Sequence, residues 1–473
     1  MIFDVVYPLC LVKLTSRHNF LTSSIPFDWS KIVIKNVTNP PTLTETRTMF
    51  SNYVSSGAPL LTDPDDQLVG SFTLSKTSTT IANTLRRCIL VDTRSVGFRA
   101  DLTNAADPGV TIRKNTSVIF NEMLAHRLTL IPLAVRRLDD FDPSRYQCVL
   151  TVKNENQGPV SNEGLRHVTA GDFRILEKQE DGTFTDIGLP AASAMFPADP
   201  ITKQTSLIVT LRPQWNTEQP AEEIDLTAYP VIGRGSDHMG FCPVSQCSFE
   251  NTLDQDPVRQ EQFFNEWLKS FKKLEDPTAV TPEVLGGYRK EWGNMAVQRC
   301  FLVDEHGEPS SFGFTVESVG VRSVKEIVAE GIQAVIALVS PYATAEKSLA
   351  DLGITTQPPD SRMNGLDIHF DGQEHTLGNL LQTLITELYI NDGAPDSPIV
   401  FAGYKIRHPL HRVMTLRLGF REGLTGDTAV VAKEIINTAA ERARIIFEEL
   451  GRNWAALVGG SAGGEEATVA LEG

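Results

Sequence analysis

Thr376-Leu-Gly-Asn-Leu-Leu381 and Thr80-Ile-Ala-Asn-Thr-Leu85 share a T-[IL]-[AG]-N-x-L pattern, offset by 376 − 80 = 296 residues. Each opens a run of helical periodicity that follows a strand-like stretch. In the first, Leu68 to Leu74 reads as a strand and Ser75 to Ser78 as a capping cluster. Ile81, Leu85 and Ile89 then recur every four residues, the apolar stripe of an amphipathic helix. In the second, a strand at Leu366 to Phe370 precedes a helix at Thr376 to Tyr389. Further on, Val96-Gly-Phe-Arg99 answers Ala402-Gly-Tyr-Lys405, with a longer loop, Asn391 to Pro398, in the second copy. Two related strand–helix–strand units must each bury one helical face, and pairing helix on helix about a quasi-two-fold axis does so economically. Small residues at Ala82 and Gly378 would let the helices approach closely. The expectation is a pseudo-dimer within one chain.

Outward from these blocks, Phe312 to Val316 alternates as a strand, and Ser323-Val-Lys-Glu326 forms a capping box. The helix that follows carries Val324, Ile327, Val328, Ile332, Val335 and Val339, and Pro341 is expected to stop it. Thr116 to Leu128 reads as a helix with Ile119, Met123 and Leu124 on its apolar side, and His126 as a packing residue. Short alternating runs such as Cys148 to Lys153 and Leu207 to Leu211 make residues 134–310 β-rich, with a helix at Glu261 to Lys273. The second unit closes with strands Val400 to Ile406 and Val413 to Leu418 and a helix from Thr428 to Leu450, which Gly451 is placed to end. The expected order is an N-terminal extension (1–65), a discontinuous first unit (66–133 and 311–340), an inserted β-rich domain (134–310), a linker (341–362), a second unit (363–456) and a disordered tail (457–473).

The 473 residues exceed one ordinary core, and 41% hydrophobic with 22% charged residues is an ordinary globular balance. A formal net charge of −16 argues against gripping a nucleic-acid backbone, which takes a basic excess. Six cysteines do not make a secreted disulfide framework. The apolar run Ile2 to Val12 lacks the basic start and cleavage site of a signal peptide, and Gly331 to Val339 is too short to span a membrane. An intracellular, reducing compartment is expected, without membrane contact. No H-E-x-x-H, G-x-S-x-G or phosphate-loop pattern suggests catalysis.

Ile81 to Leu90, followed by Asn115-Thr-Ser-Val-Ile-Phe-Asn-Glu-Met-Leu-Ala-His-Arg-Leu-Thr-Leu-Ile-Pro-Leu133, resembles the third-largest subunit of eukaryotic RNA polymerase II and the archaeal D subunit. Both belong to the family of the bacterial α amino-terminal domain. Thr315-Val-Glu-Ser-Val-Gly320 resembles the strand with which such subunits return from their inserted domain. Glu374-His-Thr-Leu-Gly-Asn379 and Phe401-Ala-Gly-Tyr-Lys-Ile-Arg-His-Pro-Leu410 are similar to the small partner subunit, archaeal L. The joining of both in one chain resembles the fused subunit of large cytoplasmic DNA viruses, such as the asfarvirus and mimivirus groups. For this chain that would mean the host cytoplasm or nucleus, and packaging in the virion.

The resemblance implies an α+β fold of two α-amino-terminal-domain-like units with a β-rich insert in the first. It implies a non-catalytic assembly platform of a DNA-directed RNA polymerase. The second-largest and largest subunits would dock on it, small zinc-binding subunits would pack alongside, and DNA would be met only through the complex. The alternative is an α-like scaffold repurposed as a virion or regulatory binding protein. Interface residues implied by the match are Asn83, Leu85, Arg86, Arg87, His375, Thr376, Leu377, Gly378, Asn379, Leu381, Phe401 and Tyr404, with Arg86 and Arg87 facing the second-largest subunit. Arginine forks suit such contacts. Many members carry four clustered cysteines in the insert, whereas only Cys148 lies near that loop here. His238, Cys242 and Cys247 offer a Cys-x4-Cys spacing without a fourth ligand, so a loop with reduced thiols is expected and no zinc or other cofactor. His408 and His411 read as structural.

Overall fold

A computed structural model describes residues 49–60, 66–104, 109–135, 138–158, 164–188, 193–199, 201–216, 218–274, 280–344, 348–359, 363–391, 397–408, 410–423 and 427–461. The expected N-terminal extension up to residue 48 and the expected disordered tail beyond 461 lie outside them, while residues 457–461 of that tail are helical.

Strands β1 (Phe50–Pro59) and β2 (Gln67–Ser75) form an antiparallel hairpin, and helix α1 (Thr79–Val91) follows. The stripe of α1 is buried as its spacing predicts, with Ile81, Ala82, Leu85, Cys88 and Ile89 facing inward. Ser78 sits at the N-cap, but its side chain makes no capping bond. The chain then leaves this unit. It builds β3 (Arg94–Phe98), β4 (Val110–Asn115), α2 (Asn121–Thr129), β5 (Tyr146–Lys153), β6 (Arg166–Thr169), β7 (Arg174–Lys178), β8 (Phe184–Asp186), β9 (Leu207–Leu211), β10 (Glu223–Ala228) and β11 (Pro230–Arg234). These make a five-stranded sheet, β4-β10-β5-β7-β8, and two ribbons, β11-β3 and β6-β9. Strand β12 (Val244–Asn251) rejoins the first sheet, the helices α3 (Pro257–Trp267) and α4 (Pro282–Met295) form an excursion, and β13 (Ser311–Ser318) leads into α5 (Val324–Ala343). The second unit runs β14 (Ile354–Gln357), β15 (Gly365–Asp371), α6 (His375–Thr386), β16 (Ile399–Ile406), β17 (Val413–Phe420) and α7 (Thr428–Ser461).

The first unit's sheet has the order β1-β2-β13-β12 and the second unit's the order β14-β15-β17-β16, antiparallel throughout. Position by position these are one topology, with α1 and α6 after the second strand and α5 and α7 after the last. Helix α1 packs on α6 and α5 on α7, and one hydrophobic core runs from Phe72, Leu85 and Val328 of the first unit to Phe370, Leu381 and Ala440 of the second.

Several boundaries differ from the sequence reading. Residues 50–59, assigned to an extension, are the edge strand β1, whose alternation of buried and exposed positions is short and polar. The inserted region begins near β3 rather than at 134. Val96, Phe98, Val110, Leu124 and Leu128 share a core with Leu150, Ile175 and Leu226 that is separate from the core of the paired units. It also ends before 310, because β12 returns to the first sheet, and the helices Pro257–Trp267 and Pro282–Met295 close over Phe264 and Trp292. Val96-Gly-Phe-Arg99 is therefore not the counterpart of Ala402-Gly-Tyr-Lys405. The strand in the place of β16 is β12, a match the long insertion hides.

Helix α2 starts at Asn121 rather than Thr116, because Asn115 folds the preceding segment into a turn. Its side-chain oxygen accepts from the Ser117 amide at 3.0 Å and its amide donates to the Ile119 carbonyl at 2.7 Å. Met123 and His126 point outward, not into a core. At α5, Ser323 accepts the Glu326 amide as the capping box predicts, while the Glu326 carboxylate turns to Arg322 at 3.9 Å. That helix continues to Ala343 past Pro341, into the expected linker, because Tyr342 is buried edge-on against Phe370 with centroids 5.4 Å apart. The rest of that linker contributes β14 to the second sheet. Helix α5 is long and apolar enough to cross a membrane by length and composition, yet Ile327, Val328, Gly331, Ile332 and Val335 are buried in the protein.

Helix α7 likewise runs through Gly451 to Ser461. An interior glycine costs about 1 kcal/mol, whereas burying a tryptophan contributes about 3–5 kcal/mol. Trp454 packs against Phe50, Tyr53 and Phe72 with ring centroids 5.1, 5.6 and 5.0 Å away, and its indole donates to the Lys325 carbonyl at 3.0 Å. The last helix thus crosses from the second unit into the first unit's sheet. Trp454→Ala is expected to destabilise the whole chain by about 3–5 kcal/mol, read as a lower urea midpoint. A loss under about 0.5 kcal/mol would show the crossing to be dispensable.

Candidate functional site

The residues singled out by the two repeated blocks converge on the seam between α1 and α6. Thr80 Oγ1 lies 3.1 Å from Thr383 Oγ1, and Arg87 Nε donates to Thr376 Oγ1 at 2.8 Å. Under the offset of 376 − 80 = 296, Thr80 corresponds to Thr376 and Arg87 to Thr383 (87 + 296). The two contacts are therefore one contact made twice, each residue meeting the counterpart of its partner, as a two-fold interface requires. Asn379, the counterpart of Asn83, donates to Thr80 Oγ1 at 3.4 Å.

Leu85, Leu377 and Leu381 are almost wholly buried in the common core, and Thr376 is buried with them. Gly378 serves a different purpose from the expected close approach of helices. A Cβ there would sit 2.5 Å from the Tyr404 ring, so the glycine admits Tyr404 of β16 from its own unit. Tyr404 is held by its backbone amide, which donates to Gln382 Oε1 at 3.0 Å, and by His375 Nδ1, 3.3 Å from its hydroxyl. Close helix approach occurs instead at Gly331 of α5, where a Cβ would meet Ile89 of α1 at 2.6 Å.

Arg86 and Arg87 are placed differently from one another. Arg87 is engaged across the seam, whereas Arg86 turns back along α1 and donates from Nε and Nη2 to Asn83 Oδ1 at 3.1 and 3.0 Å. Just beyond, burial pushes the Asp92 carboxyl up, opposed by its hydrogen bond with Cys88 and by Arg234 and Arg87. His375, at the start of α6, is exposed at the seam's end, whereas Phe401 is exposed on the second sheet, its ring over Gly403.

His238, Cys242 and Cys247 do not converge. His238 Nδ1 accepts the Gly240 amide at 3.0 Å, Cys242 donates to the Val244 carbonyl at 3.2 Å, and burial pushes the Cys247 thiol up to about 12. Among the described residues no group of three or more His, Cys, Asp or Glu side chains is arranged to hold a metal ion. His408 accepts the Leu410 amide at 3.2 Å and lies 5.4 Å, ring to ring, from His411.

Two polar clusters escaped the sequence reading. Glu330 of α5 receives the Arg94 amide at 3.0 Å, Arg94 Nε at 2.8 Å and the Arg322 guanidinium, and Arg322 also donates to the Arg94 carbonyl at 3.0 Å. Burial would raise the Glu330 carboxyl, but Arg322 and the hydrogen bonds hold it below its usual range. This clamp fixes the start of the insert to the helix layer. In the second sheet, Asp367 takes Arg417 Nε at 2.5 Å and Nη2 at 2.6 Å across the register pair of β15 and β17. Neither cluster has a local sequence signal, since Arg94 lies 236 residues from Glu330 and Arg417 lies 50 from Asp367.

Residues 71–338 and, again, 366–453 match the family model of the RNA polymerase Rpb3/Rpb11 dimerisation domain. The chain belongs to that family. It carries the dimerisation domain twice, in tandem, and the insert falls within the first match. It is 27% identical over 274 residues to DNA-directed RNA polymerase II subunit RPB3 of Schizosaccharomyces pombe, covering 55% of this chain and 78% of the relative. It is 28% identical over 222 residues to subunit Rpo3 of Methanosphaera stadtmanae (45% of this chain, 70% of the relative). Subunit RPAC1 of RNA polymerases I and III from Saccharomyces cerevisiae is 28% identical over 300 residues (57% and 81%).

Two outcomes follow. A double-mutant cycle with Arg87→Ala and Thr376→Ala is expected to give a coupling of about 1 kcal/mol in chemical denaturation, and additivity would show the contact to be idle. The hydrogen bonds from Arg417 hold the Asp367 carboxyl below its ordinary value. A carboxyl lowered on folding stabilises the fold above its unfolded value of about 3.9 and loses that contribution as pH falls through the folded value. Asp367→Asn should cost about 3–5 kcal/mol at pH 7 and flatten the pH dependence of the melting temperature below about pH 4. An unchanged acid limb would remove Asp367 as its source.

Proposed function

We propose that this chain is a non-catalytic assembly platform of a multisubunit DNA-directed RNA polymerase, its two family domains paired as an intramolecular pseudo-dimer. The single observation that carries this is the reciprocal seam of Thr80, Thr383, Arg87 and Thr376, formed by two tandem Rpb3/Rpb11 dimerisation domains. A pairing that separate subunits would make by encounter is here intramolecular, at roughly millimolar effective concentration. The stoichiometry of the two halves is then one to one by covalent connection.

The second-largest and then the largest polymerase subunit would dock on the paired units, with small zinc-binding subunits alongside. Exposed His375 at the start of α6 and exposed Phe401 on the second sheet offer a hydrogen-bonding group and an aromatic anchor for such contacts. The net charge of −16 supports a role at protein interfaces, with nucleic acid met through the complex. Chemistry would reside in the partners. The fused arrangement supports an intracellular setting in a large DNA virus.

Purification through a tag on the full-length chain, followed by native mass measurement, tests this reading. The expected complex contains one copy of this chain, two much larger subunits and no separate small α-like partner. A chain that purifies without large subunits under conditions that keep polymerases intact would sink the proposal.

A further inference from the structure

Away from the seam, α2 presents two adjoining faces that its own core does not use. One, carrying Glu122 and His126 a turn apart, lines a cavity of about 460 Å³ whose other walls include Arg99, Asp101, Asp237 and His238. The neighbouring face is apolar and exposed. Phe120, Met123 and Leu130 are 63%, 45% and 52% exposed, and Met239, which follows His238 in the chain, is 63% exposed. Single exposed apolar residues are ordinary on a protein surface, but several along one helix face beside a cavity mark a docking site. Arg127 lies within this stripe, yet it is drawn aside by its bond from Nη2 to the Leu207 carbonyl at 2.9 Å and leaves the stripe apolar.

Charge decides what the cavity can take. Asp101, Glu122 and Asp237 bring three carboxylates against the one guanidinium of Arg99. Asp101 accepts the Thr103 amide and hydroxyl at 3.1 and 2.6 Å, which holds its carboxyl below the usual value and keeps it ionised. Phosphate groups would be repelled, which excludes a nucleic-acid backbone as the occupant. A cationic side chain would be attracted, and an apolar rim of methionine and phenylalanine suits the residues beside it, because methionine adapts its shape to what it contacts.

We propose that this cavity receives a Lys or Arg side chain from an amphipathic segment of a partner polypeptide, whose apolar neighbours lie over Phe120, Met123 and Met239. The proposal rests on the platform reading and names a second contact surface, on the insert and apart from the seam. The paired units would gather the large subunits, and the insert would add a basic partner by charge-steered docking.

The test uses the native complex purified through the full-length chain, with a photoreactive phenylalanine analogue in place of Met123. Irradiation is expected to join this chain to one other polypeptide, and the crosslinked peptide should contain Lys or Arg flanked by apolar residues. Asp101→Asn, Glu122→Gln and Asp237→Asn together should lower the crosslink yield about tenfold while the large subunits stay bound and the melting temperature holds. An undiminished yield in that triple variant, a crosslinked peptide without a cation, or no crosslink in a complex that retains the large subunits would overturn the proposal. Absence of the large subunits from the unsubstituted complex would overturn the platform reading, and this one with it.

Discussion

The helix seam is the constraint from which the rest of the molecule follows. Each unit is a four-stranded sheet with helices on one face, and such a sheet needs a second layer thick enough to exclude water. Neither pair of helices completes that layer alone. Helix α1 finds α6 and α5 finds α7, so that Leu85, Val328, Leu381 and Ala440 belong to one core rather than two. The non-directional apolar burial holds the units together. The hydrogen bonds at Thr80, Thr383, Arg87 and Thr376 add directionality, because each is met only in one rotational register of the helices.

Joining the units in one chain leaves its own marks on the fold. Two segments of ordinary breaking character are overridden where the units meet. Pro341 is carried inside α5 because Tyr342 beyond it anchors on Phe370, and Gly451 is carried inside α7 because Trp454 beyond it fills the aromatic pocket of Phe50, Tyr53 and Phe72. In both cases a local cost of a few kcal/mol or less is outweighed by burial of a large aromatic ring across the seam.

The insert follows a different logic. It has its own core, built around Phe98, Leu150, Phe173 and Leu226, and is tied to the helix layer by the clamp of Arg94 and Arg322 on Glu330. A partly buried carboxylate shared by two guanidiniums is favourable only while both partners stay in place, which makes this joint directional rather than merely adhesive. An independently cored domain on a directional joint can carry its own binding surface without disturbing the seam.

The sequence by itself determined the paired units. The T-[IL]-[AG]-N-x-L repeat, the period of α1, the alternation of β13 and the capping serine of α5 are all local signals, and local signals survive in a linear string. Of the residues in the family blocks, Arg87, Thr376 and Asn379 take part in hydrogen bonds across the seam. What only the tertiary structure decided was everything that depends on contacts across large separations in the chain. It moved β1 and β12 into the first sheet, opened the insert at β3, continued α5 and α7 past their apparent stops, and turned Gly378 toward Tyr404 instead of toward the facing helix. It also divided Arg86 from Arg87, two adjacent arginines alike in sequence, because helical rotation points one along its own helix and the other across to Thr376. Side-chain direction and long-range partners are set by packing, and packing has no address in the sequence until the chain has folded.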